Sequence, residues 1–99
     1  MDEGIKITSI GGNAPVQAEG TIDGHPFYFR ARWGYWSLEI NTSQTGPADV
    51  LSWPEDADIW EHEEPWGDGP YAASWMPQDV VLACIEAAAT SWRLQSRPS

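Results

Sequence analysis

Asp56, Asp58, Glu61, His62, Glu63 and Glu64 crowd five carboxylates and an imidazole into nine residues. Hard cations require oxygen-rich ligand sets of this kind, held at a defined geometry. The spacing lacks the third Asp or Asn, the glycine and the distal Glu of an EF-hand loop, and His62-Glu63-Glu64-Pro65-Trp66 lacks the second His of a zinc-binding HExxH helix. Weak cation binding by the carboxylates is expected, and no specific metal site. Glycoside hydrolysis needs two carboxylates across a substrate cleft, and 99 residues offer little material for one. A platform of exposed tryptophans for carbohydrate is an alternative use of the same region. Cys84 and His25 have the chemistry of a thiol–imidazole pair. Cys84, however, falls on the apolar side of a helical pattern, where a small buried hydrophobe is expected. No serine has a nucleophile-elbow context, and no glycine-rich loop leads into a helix as a phosphate loop requires. The residues point to no enzyme and to no cofactor.

What remains is a mixture of acids and aromatics. Asp49, Glu55, Asp56, Asp58, Glu61, Glu63, Glu64 and Asp68 are interleaved with Trp53, Trp60, Trp66, Tyr71 and Trp75. Tryptophan and tyrosine anchor protein interfaces, and carboxylates steer a basic partner and speed its encounter. Glu55, Asp56, Asp58, Trp60, Glu61, Glu63, Glu64, Trp66 and Asp68 are therefore the candidate partner-binding residues. A solvated acidic face that keeps the chain soluble is the competing explanation. The wider charge pattern is one-sided. Residues 33–92 contain 11 acids and no lysine or arginine, within a chain of net charge −10. Like charges repel, so this arrangement does not help folding. It repels nucleic-acid phosphate and anionic membrane surfaces, and it attracts a basic protein surface.

The elements that must position these residues are legible from turns and alternation. Residues 5–10 read as a first strand, ended by Gly11-Gly12-Asn13, and residues 16–22 as a second. Asp23-Gly24 is a strong hairpin signal, residues 25–32 follow as a third strand, and Trp33-Gly34 turns into a fourth over 35–40. If both turns have two residues, Gly20 faces Phe27, Ala18 faces Phe29, Val16 faces Ala31, and these continue to Ile40, Leu38 and Trp36 on one apolar face. A slip of one residue would destroy that agreement. The other face carries Glu19, Tyr28 and Glu39, then Gln17, Arg30 and Ser37, then Arg32 beside Tyr35. Local pairing of Arg30 with Glu19 and Glu39 is expected, and stacking of Arg32 on Tyr35; a phosphate site is the alternative. Residues 41–56 read as irregular, with a short helix near 47–52, and residues 57–64 as a charged edge strand. Pro77 opens a C-terminal helix on which Val81, Cys84, Ile85, Ala88 and Trp92 recur at helical spacing. The expected fold is α+β, one domain over residues 1–99. In it an antiparallel meander of four to five strands has its apolar face covered by the helix, with a frayed tail over 94–99.

A single cysteine rules out a disulfide within one chain and fits a reducing compartment. With no basic leader and no membrane-length apolar run, a cytoplasmic protein is expected. A tiny acidic domain of this kind resembles the phage-encoded anti-CRISPR proteins. Ala18-Glu19-Gly20-Thr21-Ile22-Asp23-Gly24 through Arg32, and Glu64-Pro65-Trp66-Gly67-Asp68-Gly69-Pro70, are also similar to segments of small phage and prophage proteins. Several anti-CRISPR proteins resemble nucleic acid electrostatically and block basic channels of CRISPR effector complexes. The resemblance implies a non-enzymatic inhibitor whose partner is such a complex, in a host cytoplasm. That family shares no common motif, so no residue role is carried over. An inhibitor docking by its aromatics at a subunit interface, or a small accessory module acting as a homodimer, stays open beside it, as does a monomeric state.

Overall fold

The computed structural model describes residues 4–12, 16–43, 58–67 and 72–96. Five antiparallel strands form one sheet in chain order: β1 (Ile5–Gly11), β2 (Val16–Ile22), β3 (His25–Arg32), β4 (Tyr35–Asn41) and β5 (Ile59–Pro65). A 3-10 turn (Ala72–Trp75) and a helix, α1 (Gln78–Ser96), follow. The α+β meander with a C-terminal helix is therefore the fold, with β5 as the charged edge strand. The short helix expected near 47–52 lies outside the described residues.

The two hairpins have the register that alternation demands. Gly20 pairs with Phe27, Ala18 with Phe29 and Val16 with Ala31. Phe27, Phe29 and Ala31 pair onward with Ile40, Leu38 and Trp36. Asp23 (φ 51°) and Gly24 (φ 86°) both take the left-handed conformation of a tight hairpin turn whose twist matches the strands. Gly20 is needed for space: a Cβ there would strike the Lys6 carbonyl oxygen and come within 2.9 Å of the Phe27 ring.

β1 breaks the period of two, because its isoleucines fall at 5, 7 and 10. A bulge resolves this. Ile7 pairs with Gly20 and Ser9 with Glu19, so Thr8 is the extra residue. Its hydroxyl donates to the Glu19 carbonyl oxygen (3.1 Å) across the irregularity. Ile5, Ile7 and Ile10 then all pack on the core side.

Helix α1 covers this apolar face with Val81, Ile85, Ala88, Ala89 and Trp92, all buried with Phe27, Phe29, Leu38 and Ile40. Pro77 precedes the first turn and its carbonyl accepts from Val81 N–H (3.0 Å), so its missing N–H costs the helix nothing. At the far end Arg93 donates through Nε and Nη2 to the two carboxylate oxygens of Asp23 (2.8 and 2.7 Å). The helix C-terminus is thereby clamped to the β2–β3 turn, and Trp92 meets the His25 ring edge-on nearby. Among the described residues no helix is long and apolar enough to cross a membrane.

Candidate functional site

Alternation along β5 splits the expected partner-binding residues between two faces. Trp60, His62 and Glu64 pair with Ile40, Leu38 and Trp36 and belong to the helix side. Trp60 is half-buried, donates its indole N–H to Gln95 Oε1 (2.9 Å) and stacks on His62. Glu64 binds His62 Nε2 (2.9 Å). Glu61 and Glu63 are exposed on the face away from the helix. Asp58 is exposed, and its backbone is tied to the end of β4: its carbonyl accepts from the Thr42 N–H (2.8 Å) and hydroxyl (3.0 Å). Trp66 is half-buried against the core and donates its N–H to the Gly34 carbonyl (2.8 Å). Glu55, Asp56 and Asp68 lie outside the described residues.

The face away from the helix is where carboxylates meet. Glu19, Tyr28, Glu39 and Glu61 form one row across β2, β3, β4 and β5. Glu39 and Glu61 are direct cross-strand partners of like charge, an arrangement that destabilises a sheet. Partial burial, and then the Glu61 charge, push the Glu39 carboxyl above its usual range. Tyr28 is pushed up chiefly by burial, against the pull of Arg30 and with the push of Glu19 and Glu39.

The next rows of the same face hold something different. Arg30, Arg32, Trp33, Tyr35, Ser37 and Glu63 line a cavity of about 240 Å³. The expected local pairing of Arg30 does not form: among the described residues neither Arg30 nor Arg32 makes an ion pair. Arg30 Nε is buried with no hydrogen-bond partner. Arg32 stacks on Trp33, its guanidinium carbon 4.5 Å from the ring centre, and not on Tyr35 as expected. Tyr35 instead meets Trp33 edge-on at 6.0 Å. The reason lies in the β3–β4 turn, where Trp33 itself takes the left-handed conformation (φ 58°). This is costly for a bulky residue, and two backbone bonds hold it: Ala73 N–H to the Trp33 carbonyl (2.7 Å) and Trp66 N–H to the Gly34 carbonyl (2.8 Å). The sequence marks Trp33 only as a turn residue. The signal that it holds is the pair of arginines two apart on one strand face.

The remaining chemistry is muted. Cys84 is half-buried, and burial with the Glu64 charge pushes its thiol up to about 11, so it stays protonated near neutrality. No group of three or more His, Cys, Asp or Glu side chains suited to a metal ion occurs among the described residues. Among the described residues the exposed tryptophans are Trp75 (65%), from the acid-and-aromatic segment, and Trp33 (44%); neither is in the set of candidate partner-binding residues. Compared with known proteins, the chain matches no family model, no curated protein and no solved structure.

Proposed function

We propose that this chain is a non-enzymatic protein-binding inhibitor of the anti-CRISPR kind. Its acidic sheet face would occupy a basic nucleic-acid-binding site of a CRISPR effector complex. The observation that carries this reading is the Glu39–Glu61 pair. Two carboxylates forced together on the helix-free face are a defect in the isolated domain. A partner's guanidinium or ammonium between them converts that defect into charge-assisted hydrogen bonds. Glu19 and Glu63 extend the same surface along and beside the row. The proposed site is thus centred on Glu39, Glu61 and Glu63, with Trp60, Glu64 and Trp66 at the margin.

The test is binding to a purified effector complex across a salt series, with competition by the complex's own DNA or RNA. Affinity is expected to fall steeply with salt, and Glu61→Lys with Glu63→Lys to abolish both binding and competition. Salt-insensitive binding that leaves nucleic acid bound would sink the mimicry. The exposure of Trp33 and Trp75 favours a second reading, docking by aromatics at a subunit interface. In that case Trp75→Ala would cost more than the charge reversals.

A further inference from the structure

The cavity at the β3–β4 end of the sheet has a chemistry opposite to that of the acidic row beside it. We infer that it is a binding site for a small carboxylate-bearing ligand with a flat organic body, held by Arg30 and Arg32 against Trp33. Several independent features point the same way. Arg30 lines the cavity, and its Nε is shielded from solvent with no acceptor, so a small turn of the guanidinium toward a bound oxyanion would satisfy a donor that is unmet without it. Arg32 lies with its guanidinium over the Trp33 ring. Stacking uses the face of that group and leaves its in-plane N–H donors for an acceptor. Two arginines at alternate positions of one strand line the same cavity, and guanidinium recognises planar carboxylate bidentately.

The other lining residues narrow the ligand. Tyr35 and Ser37 bring hydroxyl groups to the same wall. Glu63 also lines the cavity and repels a phosphate dianion more than a singly charged carboxylate. The volume of about 240 Å³ lies below the roughly 300–1,000 Å³ of pockets for drug-sized molecules, which suits a ligand of benzoate size. Trp33 supplies an aromatic wall, and its strained backbone is fixed by the bonds from Ala73 and Trp66. Strain of this kind persists only where the surroundings impose it, and it clusters at ligand-binding positions.

The experiment is nitrogen-15 NMR of the full chain, following the Arg30 Nε–H and Trp33 indole N–H signals. Benzoate, acetate and inorganic phosphate are each titrated at constant ionic strength. Benzoate is expected to shift both signals along a saturable curve, more tightly than acetate or phosphate. Arg30→Lys should weaken benzoate by about tenfold or more, because an ammonium cannot replace the bidentate fork. Glu63→Gln should tighten it by about threefold, through removal of a like charge. Lys substitutions at Glu39 and Glu61 should leave the Arg30→Lys effect intact, which separates this site from the acidic row. The inference is overturned if no anion gives a saturable shift at Arg30 in the unmodified chain. It is equally overturned if phosphate binds more tightly than benzoate, or if Arg30→Lys binds benzoate unchanged.

Discussion

Glu39 shows how a single side chain can work against its own fold. Its carboxyl is pushed up by burial and then by Glu61, from an ordinary value of 4.5. A raised folded-state value means that folding disfavours the charged form relative to the unfolded chain. The cost of ionisation is absent below about 4.5, where Glu39 is protonated folded or unfolded, and it grows as pH rises through the folded value. Glu39→Gln is therefore expected to stabilise the domain at pH 7 by roughly 0.2–1 kcal/mol, and to make no difference near pH 3. Urea unfolding at the two pH values checks this. Under the proposed function the same variant weakens partner binding, so stability and binding should move in opposite directions. Cys84 gives a second residue-scale prediction. With its thiol pushed up to about 11, alkylation of the native chain should be slow at pH 7.5 and rise about tenfold per pH unit toward 10. Denaturant should remove the protection. Fast native alkylation at pH 7.5 would show that the thiol is not shielded.

At the scale of elements, the hairpins were readable because two signals agree. The Asp23-Gly24 turn fixes where pairing starts, and the apolar positions of β2, β3 and β4 accept only one register. Strand β1 was readable as a strand but not in its pairing, since Ile5, Ile7 and Ile10 share a face only through the bulge at Thr8. Nothing local announces that bulge. The clamp from Arg93 to Asp23 spans 70 residues of chain and is equally silent in the sequence, where Arg93 reads as a favourable charge at a helix C-terminus. Arg93→Gln or Asp23→Asn should each cost about 0.5–1 kcal/mol, the upper range for a partly exposed ion pair. Asparagine suits the left-handed turn position as well as aspartate does, so Asp23→Asn isolates the charge. A double-mutant cycle by thermal unfolding measures the coupling, which should shrink in high salt. If the double variant costs the sum of the singles, the clamp contributes nothing.

Over the whole molecule, a net charge of −10 on 99 residues sets the background for every local effect. Self-repulsion penalises the compact state, and the screening length is about 10 Å at 0.1 M salt. The melting temperature should therefore rise between about 10 and 200 mM sodium chloride, although the Arg93–Asp23 pair weakens over the same range. A flat or falling curve would mean that the acids are already balanced locally. The sheet does not distribute this charge evenly. One face is apolar across β1 to β4 and covered by α1, with His62 and Glu64 at its β5 edge; the other alternates between an acidic row and an arginine-bearing cavity.

By itself the sequence determined the meander, its register across three strands, the helix that seals it and the excess of acid after Arg32. These follow from local turn chemistry and from periodicity, which act between neighbours along the chain. Tertiary structure alone decided which residues share a surface. Pleating sends Glu61 and Glu63 to one face of β5 and Trp60 and Glu64 to the other, so a run that looks continuous in sequence is divided in space. Backbone bonds from Ala73 and Trp66 hold the β3–β4 turn in which Trp33 is strained. Arg32 stacks there on Trp33, and Arg30 lines the same cavity without an ion partner among the described residues. No local pattern encodes that outcome, because the groups that impose it come from distant parts of the chain.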